Sequence, residues 1–225
     1  GYKQSGIGRE LGHAGLAEYT ELKRIHVSAS EDKKSNFMMK MFSDDPKIPF
    51  VQYITPTLVL AGHGSLPSVY REVPRLGCSR ALVLTDPGVR DAGLAQRVKD
   101  ALGDFCVGVF DQIAQDTDLG TVDQAADLAR ELGVDIIVSV GGGSVIDTAK
   151  AVCVTLKNGG KADDHVALMR LTEPQIPHIA IPTTSGTGSE VTNVSVIKSQ
   201  AAGRKVYIVD NYITPNTAIL DPAFT

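Results

Sequence analysis

The stretch Asp135-Ile136-Ile137-Val138-Ser139-Val140-Gly141-Gly142-Gly143-Ser144-Val145-Ile146-Asp147-Thr148-Ala149-Lys150 decides how this chain reads. A short apolar run ends on three glycines, and helical spacing follows. An apolar run of that length, bounded by a turn signal, is the mark of a buried strand. SVIDTAKAVCVTLKNGG (144–160) then reads as a helix closed by glycine. Strand, glycine turn and helix together bring backbone N–H groups to a helix N-terminus, where a phosphate meets no Cβ atoms. The turn is not the usual dinucleotide fingerprint, because a GxGxxG register from Gly141 would need glycine where Ile146 stands. Nor is it a Walker loop, since no Gly-Lys-Ser/Thr follows. A plain strand–helix turn with Ser144 as N-cap fits the same letters, and this segment alone leaves both readings open.

The neighbouring segments extend the pattern in both directions. Upstream, TLVLAG (57–62), RALVLTD (80–86) and FCVGVF (105–110) are strand signals. GLAQRVKDALG (93–103) and TVDQAADLARELG (121–133) have helical spacing, the second ended by Gly133. Downstream, HIAIP (178–182) is a further strand, and VSVIK (194–198) with KVYIVD (205–210) suggests a hairpin around AAGR. Strands alternating with helices, the strands being continuously apolar, imply an α/β fold. The expected sheet is doubly wound and mostly parallel, Rossmann-like, and covered on both faces.

Two other segments belong with the glycine turn. Thr183-Thr184-Ser185-Gly186-Thr187-Gly188-Ser189 carries five hydroxyl side chains and two glycines directly after the strand 178–182. A loop at that position lies where α/β folds place ligand crevices, and its hydroxyls can serve an anion or a ribose. Asp86, followed by Pro87-Gly88, closes the strand 80–86. A carboxylate there can accept hydrogen bonds from an adenosine ribose and repel a 2′-phosphate, which favours NAD over NADP. It is equally a turn aspartate.

Composition removes several classes of function. The 225 residues are 43% hydrophobic and 21% charged, an ordinary globular balance. With 22 Lys and Arg against 26 Asp and Glu, the net charge of −4 offers no footprint for nucleic acid or an anionic membrane. No apolar run reaches the roughly 20 residues of a membrane span, and no stretch reads as a secretory leader. Cys78, Cys106 and Cys153 are odd in number and scattered, so a reducing, cytoplasmic location is expected, with neither disulfides nor a thiolate metal site. The chain starts at Gly1 rather than Met, which reads as a fragment.

GGGSVIDTAKA and PTTSGTGSEVT, in that order, resemble the two motifs of the iron-containing (group III) alcohol dehydrogenases. The likeness covers residues 51–225, the cofactor-binding half of that family. It implies an NAD(P)-linked oxidation of a primary or secondary alcohol, a divalent iron or zinc, a small alcohol or aldehyde substrate, and a homo-oligomer for the intact enzyme. By resemblance, Gly141, Gly142, Gly143, Ser144 and Asp147 contact the cofactor's pyrophosphate region. Thr183, Thr184 and Ser185 line the site towards the nicotinamide, Asp86 sits by the adenosine ribose, and Lys205 reaches the nicotinamide ribose. An exposed strand lysine is an equal reading of Lys205. The family's Pro-Asn-Pro-like turn is replaced here by Asp111–Asp118, so the adenine-side contacts of that turn are not carried over by the resemblance. The family's metal ligands, an Asp and three His, fall beyond Leu220-Asp221-Pro222-Ala223-Phe224-Thr225. His13, His26, His63, His165 and His178 have no metal-ligand spacing. His178 reads as a satisfied or exposed histidine.

The N-terminus reads differently. Gly1-Tyr2-Lys3-Gln4-Ser5-Gly6-Ile7-Gly8-Arg9-Glu10-Leu11-Gly12 and the following residues to 28 resemble the C-terminal tail of the NAD(P)-dependent aldehyde dehydrogenases. The expected division is therefore a tail over 1–30, a charged, proline-containing linker over 31–50 holding Met38, Met39 and Met41, and a dinucleotide-binding domain over 51–225. Such a chain is expected to be inactive alone, catalytic and metal residues being absent from it. The alternatives are a non-catalytic nucleotide-binding remnant and a piece of a fused aldehyde/alcohol dehydrogenase.

Overall fold

A computed structural model describes residues 56–224. The tail and linker expected over 1–50 lie outside those residues. The described residues all belong to one compact unit.

Six parallel strands form the central sheet: β1 (Leu58–Ala61), β2 (Ala81–Leu84), β3 (Cys106–Phe110), β4 (Ile136–Gly141), β5 (His178–Pro182) and β8 (Thr217–Leu220). Their spatial order is β1-β8-β5-β4-β2-β3. β6 (Val194–Ser199) and β7 (Arg204–Val209) form a separate antiparallel hairpin, as the sequence suggests. The helices are α1 (Val69–Arg75), α2 (Pro87–Asp91), α3 (Leu94–Leu102), α4 (Leu119–Glu131) and α5 (Gly143–Asn158). None of the described helices is long and apolar enough to cross a membrane.

Strand periodicity divides the core between the two faces. Leu82, Leu84 and Ile137 point to the α4, α5 and hairpin side. Ala81, Val83, Ile136, Val138, Val140, Ile179 and Ile181 point to the α1 and α3 side. Alternate residues of a strand face opposite ways, so a strand buried on both faces has to be apolar throughout. Every residue of β2 and β4 is buried; β2 is apolar throughout, and in β4 the one polar side chain, Ser139, is hydrogen-bonded to His178.

Several boundaries differ from expectation. α5 begins at Gly143 with Gly142 as its N-cap, so Ser144 lies inside the first turn rather than capping it. The Ser144 carbonyl accepts a hydrogen bond from Thr148 Oγ1 at 2.7 Å. β1, a buried strand by its letters, is instead an edge strand, with Leu58 40% and Val59 44% exposed. β8, α1 and α2 have no counterpart in the sequence reading, which took Asp86-Pro87-Gly88 as a turn. β8 is four residues long, too short for its period to stand out, and it is held by pairing with both β1 and β5.

The strand order places the reversal between β2 and β4. The chain steps outward from β2 to β3, then returns to the other side of β2 and continues through β4, β5 and β8. At such a reversal the loops leave in opposite directions and open a crevice beyond the carboxyl ends of the strands.

Candidate functional site: a cleft at the strand ends

The cleft at that reversal has a volume of about 590 Å³. Each wall comes from the end of a different strand. Gly142, Gly143, Ser144 and Val145 follow β4, and Thr183 and Thr184 follow β5. Asp86, Gly88, Val89, Ala92 and Leu94 follow β2, Gln115 follows β3, and Phe224 follows β8. A hydrogen bond from Thr85 Oγ1 to the Val140 carbonyl, 2.8 Å, ties the ends of β2 and β4 together just below the opening.

The helix N-termini around the cleft are built differently. Asp86 caps α2, its Oδ1 accepting the Val89 N–H at 2.9 Å, with Pro87 in the first turn. Asp118 caps α4 by accepting the Thr121 N–H at 2.9 Å. No side chain caps α3 or α5. At α5 the Gly142 carbonyl takes the Val145 and Ile146 N–H groups, while Gly142, Gly143 and Ser144 line the cleft at the positive end of a 16-residue helix, which favours a bound anion.

Close packing explains two glycines. A Cβ on Gly143 would come within 2.9 Å of Thr187 Cγ2, and one on Gly141 within 2.6 Å of Val145 Cγ2. Real Cβ atoms do not approach so closely, so Gly143 lets the turn fit against the 183–189 loop, and Gly141 lets it fit against the first turn of α5. The Thr183 N–H donates to the Gly141 carbonyl at 3.0 Å and fixes the start of that loop.

The structure thus brings together Asp86, Gly142, Gly143, Ser144, Thr183 and Thr184, and leaves the other expected residues off the cleft walls. Gly141 contributes its carbonyl to Thr183, and Ser185 does not line the cleft. Lys205 is on β7, exposed, with its ammonium 2.6 Å from Asp116 Oδ1. This ion pair raises the Lys205 pKa and lowers that of Asp116, chiefly through the hydrogen bond between them. Asp147, expected at the pyrophosphate, is buried one turn into α5 and faces the hairpin. Its partners hold it there: the Val196 N–H donates to Oδ2 and the Lys150 ammonium stands 3.5 Å from Oδ1. Sequence reasoning did not find the apolar wall of Val89, Leu94 and Phe224, because residues distant in the chain supply it. Arg97 stacks 4.4 Å from the centre of the Phe224 ring and donates to the Ala223 carbonyl at 3.2 Å, which fixes that wall.

Behind the cleft lies a buried polar cluster. Lys150 is fully buried, and its Nζ donates to the Val194 carbonyl at 2.7 Å and to Thr192 Oγ1 at 3.2 Å. Asp147 Oδ1 lies 3.5 Å away. Burial pulls the lysine pKa down to about 8 against the opposing pull of Asp147, and burial raises the carboxyl of Asp147. His178 begins β5, fully buried; its Nε2 is 2.8 Å from the Ser139 hydroxyl, and its Nδ1 has no partner. Burial, with Lys150 adding to it, pushes the His178 pKa down to about 3, so the ring is neutral. Among the described residues, no group of three or more His, Cys, Asp or Glu side chains is placed to hold a metal ion.

Comparisons with known proteins agree with this geometry. The chain is 35% identical over 178 residues to a sulfoacetaldehyde reductase of Bilophila wadsworthia, covering 78% of this chain and 46% of that protein. It is 34% identical over 172 residues to an NAD-dependent methanol dehydrogenase of Bacillus methanolicus, covering 76% and 45%. The crystal structure of a Bifidobacterium kashiwanohense sulfoacetaldehyde reductase in complex with NAD+ superposes with a TM-score of 0.74 at 31% identity, over 78% of this chain and 47% of that one. The chain therefore spans about half the length of the relatives it matches. The sequence profile of the iron-containing alcohol dehydrogenases matches residues 56–222, the whole sheet and every wall of the cleft but Phe224. On its glycine turn, its hydroxyl-rich loop and the fold that joins them, the chain belongs to the iron-containing alcohol dehydrogenase family.

Proposed function

We propose that residues 56–224 are the dinucleotide-binding half of an NAD-linked alcohol dehydrogenase that interconverts a primary or secondary alcohol and its carbonyl product. The observation that carries this reading is the convergence of the uncapped α5 N-terminus, Thr183, Thr184 and Asp86 on one cleft. Gly142, Gly143 and Ser144 are suited to hold a diphosphate, because their N–H groups and the helix dipole oppose its charge. Thr183 and Thr184 offer hydroxyls to the ribose and amide at the nicotinamide end. Asp86 keeps its second carboxylate oxygen for a ribose hydroxyl and disfavours a 2′-phosphate. The apolar wall of Val89, Leu94 and Phe224 suits the faces of an adenine ring. When bound, the nicotinamide supplies the hydride acceptor, and the protein's part is to position it.

The described residues do not fit the divalent metal of the family, having no donor set for it. A second reading is that residues 56–224 bind a nucleotide without turning over an alcohol. Residues 1–28 support a further reading, a junction with an aldehyde dehydrogenase, which the continuous reading frame of the source gene would test. For the main reading the experiment is a titration of the purified 225-residue chain with NADH, followed by fluorescence. Saturable binding is expected, with no turnover of simple alcohols when NAD and Fe²⁺ or Zn²⁺ are supplied. Absence of binding would remove the dinucleotide reading, and turnover would remove the reading of binding alone.

A further inference from the structure

We propose that Lys150 is a positioning residue of the dinucleotide cleft: its buried ammonium clamps the far end of the 183–194 segment to α5 and so holds Thr183 and Thr184 against the glycine turn. The inference rests on the dinucleotide reading above and extends it to a side chain that lines no wall.

The 183–189 loop is held at three places. At its start, the Thr183 N–H reaches the Gly141 carbonyl. Midway, Thr184 and Thr187 pack on the bare faces of Gly142 and Gly143. Beyond it, Thr192 Oγ1 and the Val194 carbonyl both accept from the Lys150 ammonium, which divides its three protons between them and Asp147. Asp147 completes the clamp. Its Oδ2 accepts the Val196 N–H at 3.1 Å, and its main-chain carbonyl accepts the Ser195 hydroxyl at 2.7 Å. Lys150 and Asp147 sit one turn apart on the helix whose first turn faces the cleft, so the clamp sets the spacing between the two loops.

A buried cation is costly to keep, and an apolar residue of the same shape would fill the space at less cost. A lysine here is explained by what it holds. The charged and titratable groups around the ammonium are Asp147 on α5, Glu190 from the turn before β6, and neutral His178 from β5. Asp147 and Glu190 favour the protonated form and burial opposes it, leaving the clamp closed at neutral pH and open in alkali.

The test has two arms, both on the full 225-residue chain. In the first, NADH affinity is measured by fluorescence from pH 7 to pH 9.5. Expected is a loss of about tenfold or more across that range for the unaltered chain, as the ammonium deprotonates. Lys150→Met is expected to bind about tenfold more weakly at pH 7 and to show a flat profile. In the second arm, hydrogen exchange of the ligand-free chain is followed by mass spectrometry at pH 7. Lys150→Met should speed exchange in peptides covering 183–196 and leave those covering β2 and β4 protected. A pH-independent NADH affinity of the unaltered chain would overturn the proposal, and that measurement decides even if Lys150→Met does not fold. Exchange that is unchanged in 183–196, or raised equally everywhere, would overturn it as well. If the chain binds no NADH at any pH, the dinucleotide reading falls while the exchange arm still decides the clamp.

Discussion

Replacing Asp86 by asparagine separates two jobs that one carboxylate performs. Oδ1 caps α2 through the Val89 N–H at 2.9 Å, and the same side chain lines the cleft. Asparagine caps a helix about as well as aspartate, so stability should change by less than about 0.5 kcal/mol. What disappears is the charge. A unit charge about 4 Å from a phosphate charge repels it by about 4 kcal/mol at an effective dielectric of 20. Asp86 is only half-buried, so solvent screening should leave about 1–2 kcal/mol, a gain of about 5- to 30-fold in NADPH affinity. A ribose hydroxyl bound to a charged acceptor is worth about 1 kcal/mol more than one bound to a neutral acceptor, so NADH should bind about fivefold more weakly. The ratio of NADH to NADPH affinity should therefore fall by about 25- to 150-fold. The assay is a pair of fluorescence titrations with a thermal melt beside them. Asp86→Ala serves as the control: loss of the cap should cost about 1 kcal/mol and lower Tm by about 2–4 °C, which Asp86→Asn should not. An unchanged affinity ratio in Asp86→Asn, or tighter NADPH than NADH binding by the unaltered chain, would refute the role given to Asp86.

Gly143→Ala places a methyl group 2.9 Å from Thr187 Cγ2 and beside the free N-terminal turn. NADH affinity should fall by about tenfold or more, while the helix propensity of alanine, worth about 1 kcal/mol, offsets the displacement of Thr187 and keeps Tm within about 4 °C; unaltered NADH titration would count against the close-approach account. His178 is held neutral in the fold with its pKa near 3, whereas the unfolded chain protonates near the ordinary value. The unfolded state thus binds more protons between those values, and stability should fall with pH below about 6.5 by up to about 1.4 kcal/mol per unit. Urea unfolding of His178→Leu between pH 7 and pH 4.5 should show that slope reduced by about one proton, and equal slopes would exclude a neutral buried imidazole.

The glycine turn and the hydroxyl-rich loop were legible because each is a local signal. Small residues after an apolar run mark the point where a buried strand must turn at close quarters. The edge position of β1 was not legible, because apolar letters look the same in a buried strand and an exposed one, and only pairing partners distinguish them. Asp147 illustrates the limit at a single residue. Its place in the GGGSVID motif suggested the phosphate, yet its carboxylate is engaged by Lys150 and by the hairpin's Val196 N–H, a partner distant in the chain. Lys205 drew its reading from a motif, and its ammonium stands instead against Asp116, distant in sequence.

The sequence by itself determined the class of fold and the two loops that bear the chemistry, since burial on both faces demands apolar strands and tight turns demand glycine. Tertiary structure decided which side chains share a cleft. Strand order is set by long-range pairing, and the 2-to-4 reversal in the sheet is what brings the ends of β2, β3, β4, β5 and β8 to one opening. It also decided the surroundings of Lys150. Along the chain this is one more helical lysine, and it meets the Val194 carbonyl only because the fold starts β6 against the buried face of α5.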